Sequence, residues 1–125
     1  MKGGVILTDI FLVRGDTLRL SIGSIKTQEG EDYVLADTDV IYLDVKKHAY
    51  DETPIFSKSV TAADYSGGIL PITIYPADTV NLAVGDYCFD VRLVIDDDNI
   101  YTIVPMTKLK IVQNVTDIPD NGGGG

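Results

Sequence analysis

Apolar and polar residues alternate along much of this chain with a period of two. Leu18, Leu20 and Ile22 share one face of residues 17–22, and Ile41, Leu43 and Val45 share one face of 40–46. The longest case is 87–95, with Tyr87, Phe89, Val91, Leu93 and Ile95 on one face and Asp90 and Arg92 on the other. Successive strand side chains point to opposite faces, so each segment predicts a strand with one buried and one wetter side. Antiparallel sheets packed face to face have that property.

Weaker signals fill the rest. Residues 6–13 predict an N-terminal strand or two short pieces. Residues 68–75 predict another strand, where Pro71 argues for an edge or a bulge because proline has no amide to donate. Asp96, Asp97, Asp98 and Asn99 suit a hairpin turn into a strand over 100–104, and 109–112 reads as the last strand. Residues 61–65 suit a helical turn capped by Thr61, and 26–38 a polar crossing loop. Seven or eight strands with no long helical interval predict an all-β antiparallel sandwich rather than a barrel. The expected domain is 1–118. Residues 119–125 are read as a flexible glycine-rich tail, because glycine loses the most backbone entropy on ordering.

The run 78–93 is the most telling stretch. A polar turn, Leu82, Gly85 and then Tyr87 lead into the longest strand. The Tyr87 hydroxyl is placed to reach back to backbone near Leu82, as in a tyrosine corner.

At 125 residues the chain is one domain by size. Nineteen acidic against ten basic residues give a formal charge of −9, which repels phosphate backbones and argues against nucleic acid. No apolar run reaches the ~20 residues of a membrane span, and the N-terminus does not read as a signal peptide. One cysteine allows no internal disulfide, so packing must supply the stability.

No catalytic, cofactor or metal site is expected. Cys88 reads as a small inward-facing sheet residue on the face opposite Tyr87, not as a nucleophile. His48, the single histidine, reads as a solvated strand end beside Lys46 and Lys47. The 96–99 cluster has oxygen ligands of the kind calcium takes but lacks the spacing of a dedicated loop. Asp37 and Asp39 are loop carboxylates that would need a cleft to act as an acid–base pair. Gly67 and Gly68 suit a turn before a strand better than a phosphate cradle.

Phe11-Leu12-Val13-Arg14-Gly15-Asp16-Thr17 resembles the opening of immunoglobulin-like modules in tailed-phage and prophage structural proteins, including the N-terminal domain of baseplate upper proteins. Two further stretches carry the resemblance. One is Asp78-Thr79 with Leu82, Gly85, Tyr87, Phe89, Asp90 and Val91; the other is Thr102-Ile103-Val104 with Leu109, Ile111 and the Val115-Thr116 ending. Val104-Pro105-Met106 and Cys88 depart from the pattern. The resemblance implies an immunoglobulin-like sandwich and a non-enzymatic virion protein of the tail or baseplate. Such a protein is assembled in the bacterial cytoplasm and acts as a homo-oligomer with other tail or baseplate proteins, without membrane insertion. Two other functions are weighed against it. A carbohydrate-binding or adhesive sandwich would stack sugars on Tyr33, Tyr50 or Tyr65 beside loop carboxylates. A glycan hydrolase would need paired carboxylates in a cleft.

Overall fold

The alternation becomes nine strands in the computed structural model, which describes residues 2–3, 9–23, 25–27, 29–65, 69–96 and 99–113. They are β1 (Lys2–Gly3), β2 (Ile10–Val13), β3 (Leu18–Ile22), β4 (Ile25–Lys26), β5 (Val40–Lys46), β6 (Phe56–Thr61), β7 (Leu70–Ile74), β8 (Gly85–Asp96) and β9 (Asn99–Val112). A 3-10 turn, Ala62–Asp64, and one helical turn, α1 (Pro76–Thr79), complete the described elements. Thr61 begins the 3-10 turn as expected, its amide donating to the Asp64 carboxylate at 2.9 Å.

Five strands form the main sheet in the order β2-β9-β8-β5-β6. Its pairs are antiparallel except β2 with β9, which run parallel from Ile10↔Leu109 to Val13↔Val112. β3 and β7 make a separate antiparallel pair, and β1 and β4 another. One face of the main sheet carries Ile41, Leu43, Val45, Tyr87, Phe89, Val91 and Leu93, all buried, against Ile22, Leu70, Ile72 and Ile74 of the smaller sheet. Each such side chain stabilises the fold by roughly 1.5–3 kcal/mol relative to exposure. The architecture is all-β, a curled five-stranded sheet with a small separate sheet, in place of the two full sheets expected. At the far edge of the curled sheet, β6 approaches β7 without pairing to it.

Several boundaries differ from expectation. β6 was not expected, because its Ser57, Lys58 and Ser59 hide the alternation that Phe56 and Val60 keep. The segments at 100–104 and 109–112 are parts of the single 14-residue β9. The register jumps there from Val91↔Val104 to Phe89↔Thr107, so Pro105 and Met106 together oppose Asp90. A bulge leaves an extra residue out of the ladder, which accommodates a proline that cannot donate. Pro71 on β7 pairs with Ser21 of β3, which is the one strand partner of β7 among the described residues, as an edge position allows. The 26–38 segment is less open than expected, since Lys26 and Asp32 form a β-bridge and an ion pair. Gly67, Gly68, Asp97, Asp98, Val115, Thr116 and the 119–125 tail lie outside the described residues, as do residues 4–8.

Candidate functional site

Two of the three stretches that carry the resemblance meet in one corner. The Arg14 guanidinium donates to the Leu82 carbonyl at 3.1 Å, and the Gly15 amide to Thr79 Oγ1 at 3.0 Å. Thr79 is fully buried at the end of α1. Gly15 has φ +86°, a left-handed conformation that side chains with a Cβ disfavour. From the other side the Tyr87 hydroxyl donates to the Ala83 carbonyl at 2.7 Å, next to Leu82 as expected. Lys47 Nζ lies 4.4 Å from the Tyr87 ring centroid and donates to the Asp86 carbonyl at 3.1 Å. Every polar group named here is engaged in tying loop to strand, so the corner is a joint.

The outer face of the main sheet holds a charged cluster. Asp44 on β5 sits directly opposite Asp90 on β8, although like charges facing each other across strands are destabilising. Arg92 offsets this by pairing with Asp44 at 2.7 Å, and the Ser57 hydroxyl donates to the same carboxylate at 2.6 Å. Burial pushes the Asp90 carboxyl above the usual carboxylate range; Arg92 opposes that rise and Asp44 adds to it. Cys88 lies on this outer face, half-buried, with its thiol 3.6 Å from the Lys46 carbonyl. The inward placement expected for it is corrected by the alternation itself, since Tyr87 and Phe89 take the core side. Burial also raises the Cys88 thiol pKa, which leaves little thiolate for reaction.

A hollow of about 400 Å³ opens where β3, β4, the 32–35 segment, the 3-10 turn and β7 converge. Buried Ile22, Ile25 and Leu70 line it together with Tyr33, Tyr65 and Asp32. The Tyr33 hydroxyl donates to Asp39 Oδ2 at 2.5 Å, and the same oxygen accepts the Ala36 amide at 2.9 Å. Asp39 is only 1% exposed. Burial first, then the hydrogen bond and negative charge of Asp39, push the Tyr33 phenol up to about 12. The sequence clue to the burial of Asp39 is slight, its position just before β5.

The remaining candidates are dispersed. Tyr50 does not line the hollow; it is exposed and stacks on His48, ring centroids 5.0 Å apart. His48 is exposed at the end of β5, as read from the sequence. Asp37 is exposed in a turn and Asp39 is buried, so they present no shared cleft. Asp96 accepts from Asn99 Nδ2 at 2.9 Å. Among the described residues no group of three or more His, Cys, Asp and Glu side chains could hold a metal ion. No helix among them is long and apolar enough to cross a membrane.

No family model matches the chain, and no curated protein matches it. Among solved structures, a 1.4 Å crystal structure of an uncharacterized protein from Bacillus anthracis str. Ames is similar at a TM-score of 0.38 and 15% identity, over 82% of this chain and 84% of that one.

Proposed function

We propose that the chain is a non-enzymatic structural module of a phage or prophage tail or baseplate, with an immunoglobulin-like fold, working through self-association and contacts with other virion proteins. The observation that carries this reading is the β2 margin of the main sheet. β2 pairs only with β9 among the described residues, and Phe11 at its centre is 64% exposed. An unpaired edge bearing a large apolar side chain is a surface for another chain.

The strand order supports the immunoglobulin-like part of the reading. A sheet ordered β9-β8-β5-β6 against a β3–β7 pair matches the G-F-C-C′ strands facing B and E of that fold. Tyr87, bonded to Ala83 at the entry to β8, stands where a tyrosine corner belongs. The corner joining Arg14 and Gly15 to Thr79 and Leu82 accounts for the resembling motifs as architecture, which suits a building block.

Solution mass by light scattering over a concentration series tests the proposal. A defined oligomer that Phe11→Asp dissociates is the expected result. A chain that remains monomeric at high concentration and joins no tail or baseplate protein would overturn it.

A further inference from the structure

We propose that the hollow between Tyr33 and Tyr65 binds a neutral pyranoside, and that buried Asp39 is the positioning residue that holds the Tyr33 ring for it. This site is independent of the β2 margin and of the assembly reading.

The lining has the two-sided chemistry of a sugar ring. A pyranose presents a C–H face that packs on aromatic and aliphatic surface, and a rim of hydroxyls that both donate and accept. Tyr33, Tyr65, Ile22, Ile25 and Leu70 supply the first kind of surface. Asp32 in the lining and its ion-pair partner Lys26 supply an acceptor and a donor side by side. The volume, about 400 Å³, falls in the range of small-ligand sites. The charge of −9 and the carboxylate in the lining disfavour an anionic ligand.

Asp39 provides the second, independent observation. A carboxylate that is 1% exposed is costly unless fully satisfied, and its Oδ1 has no hydrogen-bond partner among the described residues. What its other oxygen does is hold the Tyr33 hydroxyl and the Ala36 amide. An aromatic ring fixed at its far end before a ligand arrives loses no rotamer freedom on binding. Tyr65 is 53% exposed and follows the capped 3-10 turn, its amide returning to the Ala62 carbonyl at 3.1 Å. One ring is pinned and the other is open to solvent.

The test follows amide and tyrosine-ring NMR signals of the full chain. The methyl glycosides of glucose, galactose, mannose and N-acetylglucosamine are added, with glucuronate and glucosamine as charged controls. A single sugar ring is expected to bind at roughly millimolar affinity, with saturable shifts at Tyr33 and Tyr65 for at least one neutral glycoside. Tyr65→Ala should weaken that binding about tenfold, whereas Tyr65→Phe keeps the stacking surface and the affinity. Tyr33→Phe and Asp39→Ala should each weaken it about fivefold and, combined, no further, because they remove one shared contact. If Asp39→Ala does not fold, Tyr33→Phe alone decides the positioning role through affinity at unchanged fold. The proposal is overturned by absence of saturable shifts with all four glycosides, or by tighter binding of a charged control. It is equally overturned by an unaffected Tyr65→Ala, or by ring shifts that follow protein dilution instead of added sugar. Phe11→Asp should bind the glycoside as the parent does, which separates this result from the fate of the assembly reading.

Discussion

At the β6 margin of the main sheet, Lys58 points to the core side between Phe56 and Val60, opposite Leu43, and its Nζ reaches the Asp78 carboxylate at 2.7 Å. At the β2 margin no charge points inward: Leu12 is buried, Ile10 packs against the core, and Phe11 faces out with Lys110 Nζ 5.8 Å from its ring centroid. An inward charge on an edge strand disfavours further pairing, because a strand docked there would strip more water from the Lys58–Asp78 pair. The β2 margin has no such guard. Two edges of one sheet therefore differ in how open they are to a further strand, and the difference rests on one residue at each.

The sharpest way to break this comparison is Phe11→Asp. We expect it to weaken self-association by about 2–4 kcal/mol, as loss of a central aromatic contact does, with stability little changed because the ring is mostly exposed. Ser59→Asp on the opposite margin should leave the mass unchanged; if both variants dissociate the oligomer alike, the margins are not distinct.

Next in size is Lys58→Ala, expected to cost about 1.5 kcal/mol in urea denaturation, since it leaves the half-buried Asp78 without its cation. Lys58→Met keeps the aliphatic stem and removes the charge. It should gain mass through the unguarded β6 margin where Lys58→Arg does not, and equal masses for the two would refute the guarding role.

Tyr87→Phe should cost about 1 kcal/mol by removing the bond to Ala83, and should leave the mass unaltered. No shift in the denaturant midpoint would remove the hydroxyl from the account of the corner.

The smallest effect concerns the outer face. Burial raises the Asp90 carboxyl pKa in the fold, so the native state holds that proton more tightly than the unfolded chain does. The stability it contributes is present at acid pH and lost as pH rises through the raised value. Asp90→Asn should therefore gain about 0.5 kcal/mol at neutral pH, the size of a like-charge strand pair, and nothing below the ordinary aspartate value of about 3.9. An equal gain at both pH values would point to packing instead of charge.

The inner face was legible because its code is local. Leu43, Val45, Phe89, Val91 and Leu93 follow the strand period, and all five are buried. Strand β6 was illegible because an edge strand needs only half an apolar face and this one places a lysine in it. The joining of 100–104 to 109–112 was hidden by Pro105, which reads as a break in sequence and is absorbed as a bulge in space. Of the candidate residues, Tyr33 and Tyr65 carry no sign in the sequence that they share a hollow, and Asp39 has the sequence context of a loop carboxylate although it is buried.

By itself the sequence determined an all-β chain, the core-facing residues of its main strands and the tyrosine that closes the corner before β8. Those follow from alternation and turn chemistry, which act between residues a few positions apart. Tertiary structure alone decided that β2 runs parallel beside β9, that Arg14 reaches Leu82, that Asp44 faces Asp90, and that Tyr33 and Tyr65 line one hollow. Each of these brings together residues more than thirty positions apart, where pairing is set by how whole sheets bury their faces and not by any local preference.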